Sequence, residues 1–350
     1  MRAKNNIVDQ LREKIARAAQ QSRRGVILQP GSIGDCIVTL PLVEFMKRSV
    51  CPGGVDLIGH TEYTGILPGR SNVDAVKSVD SMGLHRLFAR DSEFALADGD
   101  PLIFAFAEYA WIVTFLGEPD SDFEQNLIFT ANCSHSAEVM ALVMKPAEGC
   151  DSHVSDFYRE QFVKQSGLSE EEYSTVVSMP FIKATAADIR RGREVLAEFG
   201  VMPTSEPIVV HPGSGGMEKC WPLDNFLSAG RNLVDKGIDV IFLLGPAELE
   251  RFSASTIAKI ETIGRAFTNL SLADVVGLLS CATGYLGNDS GITHLSAGLG
   301  LRTVAVFGPT DPVVYGPVGP AVSILQGRGP EFASSVSEDL QEQAIMALLQ

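Results

Sequence analysis

Residues 207–236 read PIVVHPGSGGMEKCWPLDNFLSAGRNLVDK, and three kinds of local order follow one another in them. Pro207 to Val210 is a short, β-branched apolar run that predicts a buried strand. His211 to Gly216 is a glycine-rich loop. Pro222 to Lys236 has helical spacing, with Pro222 suited to the first helical turn and Gly237 to the stop. Strand, loop and helix in this order form the repeating unit of a parallel α/β sheet.

The same rhythm continues on both sides. Downstream, Ile238–Leu244 predicts a strand, Ala247–Ile263 and Leu272–Ser280 helices, and Tyr285–Leu286 a strand running into Gly287–Gly291. A helix to Leu299, the strand Thr303–Phe307 and a helix over Ser337–Leu349 follow. Upstream, the run Val26–Leu28, the loop Pro30–Gly34, a helix from Asp35 to Arg48 and the strand Val55–Gly59 repeat the pattern. Leu102–Ala105, Trp111–Leu116 and Leu127–Phe129 are further strand candidates, and Lys183–Phe199 reads as a charged helix. Two successive α/β units are expected, residues 25–182 and 183–350. They are preceded by an extension, 1–24, in which Ile7, Leu11 and Ile15 repeat at helical spacing among Arg12, Lys14 and Arg17.

A chain of 350 residues exceeds what one core usually organises, which agrees with two domains. With 45% hydrophobic and 20% charged residues it is a globular composition, too apolar for disorder. The formal charge of −15 excludes non-specific nucleic-acid binding and weakens attraction to anionic membranes, leaving at most peripheral contact. The longest apolar stretch, Leu102–Gly117, is interrupted by Glu108 and is too short for a spanning helix. Cys36, Cys51, Cys133, Cys150, Cys220 and Cys281 form no metal-ligand spacing, so they read as small apolar residues of a cytoplasmic protein.

Ligands of open α/β sheets bind beyond the C-terminal strand ends, so the loops after strands carry the functional expectation. His211–Gly216 offers backbone amides to an anion, and Lys219 adds a mobile positive charge; a plain turn is the competing reading. In Gly245-Pro-Ala-Glu248 the carboxylate can accept from ribose hydroxyls, or simply favour a helix start. In Gly287-Asn-Asp-Ser-Gly291, Ser290 and the next amides can hold phosphate and Asp289 sugar hydroxyls, with capping as the alternative and His294 three residues beyond. In the first unit, Ser32, Gly34 and Asp35 form an acceptor-side loop where a carboxylate at a helix start points to acid–base work or to capping.

The motifs GSIGD with TLP, HPGSGG with K and WP, LLGPAE, GNDSGITHL and FGPTDP occur in the order found in family 9 glycosyltransferases, the ADP-heptose:lipopolysaccharide heptosyltransferases and their relatives. The chain resembles that family from about Val26 to Gly319. The resemblance implies a GT-B fold of two Rossmann-like domains facing across a cleft, an inverting mechanism, and no metal or other cofactor. It also implies a nucleotide-sugar donor, ADP-heptose among the options, and a glycan or glycolipid acceptor at the inner face of the cytoplasmic membrane. Carried over by motif, Asp35 matches the general base, Ser214, Gly215 and Lys219 the phosphate contacts, and Glu248 the ribose contact. Asp289, Ser290, Gly291 and His294 match the sugar- and diphosphate-contacting segment. The C-terminal helix is expected to cross back onto the first domain.

Two features depart from the family pattern. No Lys or Arg occurs from Asp91 to Met144, where a phosphorylated acceptor would want cations, although Arg70, Lys77, Arg86 and Arg90 lie just before. Asp120-Ser121-Asp122 resembles a metal-binding D-x-D but falls outside the donor half, as an exposed loop. The rival readings are a nucleotide-sugar epimerase of the same architecture and an inactive sugar-nucleotide-binding protein.

Overall fold

The structure is a computed structural model that describes residues 22–168, 179–327, 332 and 338–350. The expected amphipathic helix of the extension lies outside them. The first part of the chain runs β1 (Arg24–Gln29), α1 (Ile33–Val38), α2 (Leu40–Ser49), β2 (Gly54–Gly59), β3 (Val76–Ser78), α3 (Pro101–Phe106), β4 (Tyr109–Thr114), α4 (Asp122–Asn132), β5 (Glu138–Ala141) and α5 (Val154–Ser166). The second part continues α6 (Ala186–Glu198), β6 (Ile208–His211), α7 (Leu223–Asp235), β7 (Val240–Leu244), α8 (Pro246–Arg251), α9 (Ala254–Glu261) and β8 (Arg265–Thr268). It ends with α10 (Leu272–Ser280), β9 (Gly284–Asn288), α11 (Gly291–Gly298), β10 (Arg302–Phe307), β11 (Val322–Gln326) and α12 (Glu338–Leu349).

The chain divides into two compact units. The first comprises Met1–Gly31, Thr39–Glu148 and Ser155–Val177; the second takes Ser178–Gln350 together with Ser32–Val38 and Gly149–Val154. The first unit carries a five-stranded parallel sheet in the order β3-β2-β1-β4-β5. Its core gathers Val26, Leu28, Ile112, Phe106, Phe123 and Leu127. The second unit carries a six-stranded sheet, β11-β10-β9-β6-β7-β8, also parallel. Numbered within the unit this is the doubly wound order 3-2-1-4-5-6, with its switch point between β6 and β9. Val210 pairs with Leu286 and His211 with Gly287 there, so the loops after these two strands emerge side by side.

Several local expectations are corrected. Leu102–Ala105 is not a strand but lies in α3, because Asp100 accepts from the Leu102 amide as N-cap and Pro101 fits the first turn. Leu127–Phe129 belongs to α4, which Ser121 caps; the D-x-D thus straddles a helix start. The single helix expected over Asp35–Arg48 breaks at Thr39, where Pro41 cannot donate back into the preceding turn. The one expected over Ala247–Ile263 breaks at extended Phe252, and the Ser253 side chain caps a new helix. Ala344, Ile345 and Leu348 of α12 are buried in the second unit's own core, and Gln341 donates to Asn225 of α7.

Candidate functional site

The loop after β6 and the loop after β9 are tied into one object at the switch point of the second sheet. Lys219 Nζ donates to Asp289 Oδ2 at 2.7 Å, with 35% of the lysine side chain and 8% of the aspartate side chain exposed. Ser214 Oγ donates to the Asp289 carbonyl at 2.6 Å. Asn288, fully buried, accepts from the Trp221 amide and donates to the carbonyls of Pro212 and Gly213. A buried amide that satisfies three backbone groups from another loop fixes the geometry of both. The hydroxyl proton of Ser214 is spent on this latch, which leaves the backbone amides and Lys219 as the groups suited to an anion.

The third loop closes on the first. Glu248 is 3% exposed, and its Oε2 accepts from the Gly245 amide at 2.7 Å in a capping arrangement at the start of α8. Its other oxygen, Oε1, lies against Gly213: a β-carbon there would sit 1.6 Å from it, so only glycine admits the carboxylate. Three residues on, Arg251 donates to the carbonyls of Ser214 and Gly215.

Ser290 caps α11, accepting from the Thr293 amide, and its hydroxyl also meets that of Thr293. Gly291 is a contact point: a β-carbon would lie 2.1 Å from Ile33 Cγ2 and 3.2 Å from the Gly34 amide. The absence of a side chain at Gly291 therefore lets α1 rest on the start of α11. That contact explains why Ser32–Val38 belongs to the second unit although it follows the first unit's leading strand.

Asp35 sits at the first turn of α1, half-buried, where Oδ2 accepts from both the amide and the hydroxyl of Ser32 at 2.8 Å. The capping reading of this residue is realised, and it is compatible with acid–base work because α1 is seated on the segment that carries Ser290, Gly291 and His294. His294 is buried, with its ring against Gly34, and its Nδ1 has no hydrogen-bond partner among the described residues. Burial pushes the imidazolium form down to about 4, opposed by the nearby charges of Asp289 and Asp35. The ring is thus neutral at pH 7 while keeping a polar atom to offer.

All the residues singled out in the sequence, Ser32, Gly34, Asp35, Ser214, Gly215, Lys219, Glu248, Asp289, Ser290, Gly291 and His294, lie in the second unit. Asn288, Arg251 and His153 escaped the sequence reading. Asn288 stands inside a motif already quoted, and a polar residue ending a buried strand was its signal. Arg251 closes the short helix α8, in whose first turn Glu248 stands. His153, whose Nε2 lies 2.8 Å from the Gly316 carbonyl and whose charge bears on His294, comes from a loop that local patterning does not connect with the site. Among the described residues no cluster of three or more His, Cys, Asp or Glu side chains is arranged to hold a metal ion.

The profile of Glycosyltransferase family 9 (heptosyltransferase) matches residues 158–344. Lipopolysaccharide heptosyltransferase 1 of Escherichia coli O18:K1:H7 (strain RS218 / NMEC) is 29% identical over 202 residues, 56% of this chain and 57% of that protein. The chain thus spans little more than half the length of that relative. Lipopolysaccharide heptosyltransferase 3 of Escherichia coli (strain K12) is 20% identical over 307 residues, covering 81% and 82% of the two chains. Among solved structures, the glycosyl transferase family 9 from Veillonella parvula DSM 2008 aligns with a TM-score of 0.70 at 19% identity, covering 94% of this chain and 97% of that one. The E. coli heptosyltransferase WaaC with ADP aligns with a TM-score of 0.64 at 20% identity, covering 93% and 99%. The shared fold is the GT-B class, two parallel-sheet α/β units.

Proposed function

Because the chain belongs to glycosyltransferase family 9, we propose that it is an inverting, metal-independent glycosyltransferase whose second unit binds a nucleotide-sugar donor. The names of its relatives favour heptose, carried by ADP, as the sugar, and a hydroxyl of a lipopolysaccharide-core or other surface glycan as acceptor. One observation carries the reading. Two loops at the switch point of a doubly wound sheet are locked together so that Lys219 and a glycine-rich backbone stand where such folds take phosphate.

In the reaction the acceptor oxygen attacks the anomeric carbon, its bond forming as the carbon–oxygen bond to the diphosphate breaks. The proton goes to Asp35, and the nucleoside diphosphate leaves with the bonding electron pair. Negative charge grows on the leaving phosphate, so Lys219, the loop amides and the start of α11 favour the transition state over the ground state. Glu248, with one oxygen in the helix cap, holds the other toward the loop for a ribose hydroxyl. Exclusion of water strengthens a carboxylate as a base, and that is the condition under which Asp35 would take the proton.

The test is acceptor-dependent release of ADP from ADP-heptose, measured with and without EDTA. Release in both conditions, and none without acceptor, is expected. Donor conversion without acceptor would replace transfer by epimerisation, and activity lost to EDTA and restored by magnesium would remove the metal-independent mechanism.

A further inference from the structure

Every carbonyl oxygen of the loop Pro212–Gly216 is held. Asn288 donates to Pro212 and Gly213, Arg251 to Ser214 at 2.9 Å and Gly215 at 3.0 Å, and Gly216 accepts from the Lys219 amide and the Cys220 thiol. The middle pair is the informative one. In a trans peptide the N–H points opposite to the C=O of the same unit. Fixing the Ser214 carbonyl therefore aims the Gly215 amide, and fixing the Gly215 carbonyl aims the Gly216 amide. Along an extended chain successive carbonyls alternate sides. Two of them on one guanidinium mean that the backbone is curled, so the two amides turn together toward the opposite side.

No hydrogen bond takes up those amides, although the Glu218 carboxylate stands beside Gly216, 2.1 Å from where a β-carbon would lie. Among the described residues neither the Gly215 nor the Gly216 N–H donates a hydrogen bond. Gly215 is exposed, and a β-carbon built on it would meet nothing within 4 Å. A curled pair of free amides, backed by Arg251 at the surface and by buried Asn288 beneath, is suited to an anion.

We infer that Arg251 is a positioning residue of the donor site: its guanidinium grips the outer face of the phosphate loop and turns the Gly215 and Gly216 amides toward the diphosphate. A lysine, with a compact head on a flexible stem, holds the two carbonyls less rigidly than the planar fork does. The inference rests on the donor reading above, and its test separates the two. Dissociation constants of the full chain for ADP and for adenosine, which has no phosphates, are measured by ligand-observed NMR in the unaltered protein, Arg251→Met and Arg251→Lys. Arg251→Met should weaken ADP about tenfold while leaving adenosine within about twofold, and Arg251→Lys should weaken ADP to a smaller degree. Failure of the unaltered protein to bind ADP would sink the donor reading itself. If the protein binds ADP and Arg251→Lys keeps full affinity, or if Arg251→Met loses ADP and adenosine in equal proportion, Arg251 is a structural tie and the inference is overturned.

Discussion

The two sheets follow the same winding order, yet the charges around Tyr109 in one and Asp289 in the other stand at different strand ends. In the first unit Arg24, the first residue of β1, pairs with Asp56, and Glu108, just before β4, takes Lys77. These charges surround Tyr109, the first residue of β4, whose hydroxyl donates to Asp56 and whose ring lies under Lys77. They bind the strand beginnings together. In the second unit the corresponding charges, Lys219 and Asp289, stand beyond the ends of β6 and β9. Topology alone makes the units equivalent; Lys219 and Asp289 stand at the strand ends where such sheets take ligands.

The largest expected effect tests whether Asp35 does chemistry or only caps α1. Asp35→Asn keeps an oxygen for the Ser32 amide and hydroxyl, since Asn caps about as well as Asp, so fold and donor affinity should persist. Transfer should still fall by roughly 10²–10⁴-fold, the usual contribution of a positioned base. A stable Asn variant with near-normal turnover would leave Asp35 a cap and nothing more.

A matched pair of lysines sharpens the comparison directly. Lys219 and Lys77 are equally exposed, 35% of each side chain, and form ion pairs of 2.7 and 2.8 Å. Lys219→Ala should raise the dissociation constant for ADP by roughly 10–100-fold, the loss of a charged hydrogen bond, made worse by an unpaired Asp289 facing the phosphate. Adding Asp289→Asn should recover part of that loss. Lys77→Ala should change stability by about 1 kcal/mol or less and leave ADP binding untouched. Equal ADP affinity in the two single variants would erase the distinction between the units.

The sequence made the interior of each sheet readable and hid its margins. β1, β2, β4, β6, β7, β9 and β10 are covered on both faces and show as apolar runs such as Val26–Leu28 and Ile241–Leu244. The strands not anticipated, β3, β5, β8 and β11, are the four sheet edges, where residues are only partly buried and the apolar run dissolves. The false strands, Leu102–Ala105 and Leu127–Phe129, are apolar because helices α3 and α4 pack on the same core. The site's loops were legible because glycines and charged residues cluster in them. Arg251 was not, because it reaches the site through backbone carbonyls, which leave no mark in sequence, and His153 was not, because its loop lies far from the site's motifs along the chain.

The last test concerns His294, where the second unit buries a titratable group without a partner for Nδ1 among the described residues. Its folded value of about 4 lies below the ordinary value near 6.5 that the unfolded chain shows. Between these limits the unfolded state binds more protons than the folded state, so stability rises with pH. The contribution is whole above about pH 6.5, is lost progressively as pH falls toward 4, and changes no further below that, where both states carry the proton. The loss cannot exceed the one-proton slope, about 1.4 kcal/mol per pH unit. Asp289 and Asp35 favour the charged ring while His153 and Lys219 oppose it, so the window moves if any of the four is altered. Thermal melts of the unaltered protein and His294→Gln between pH 4.5 and 6.5 isolate the term, because every other titrating group is common to both. Glutamine nearly preserves the volume and does not titrate, so its melting temperature should fall less steeply on acidification. Identical slopes would mean that His294 takes up its proton alike in the folded and unfolded protein, and the lowered value of the ring beside Gly34 would have to be abandoned.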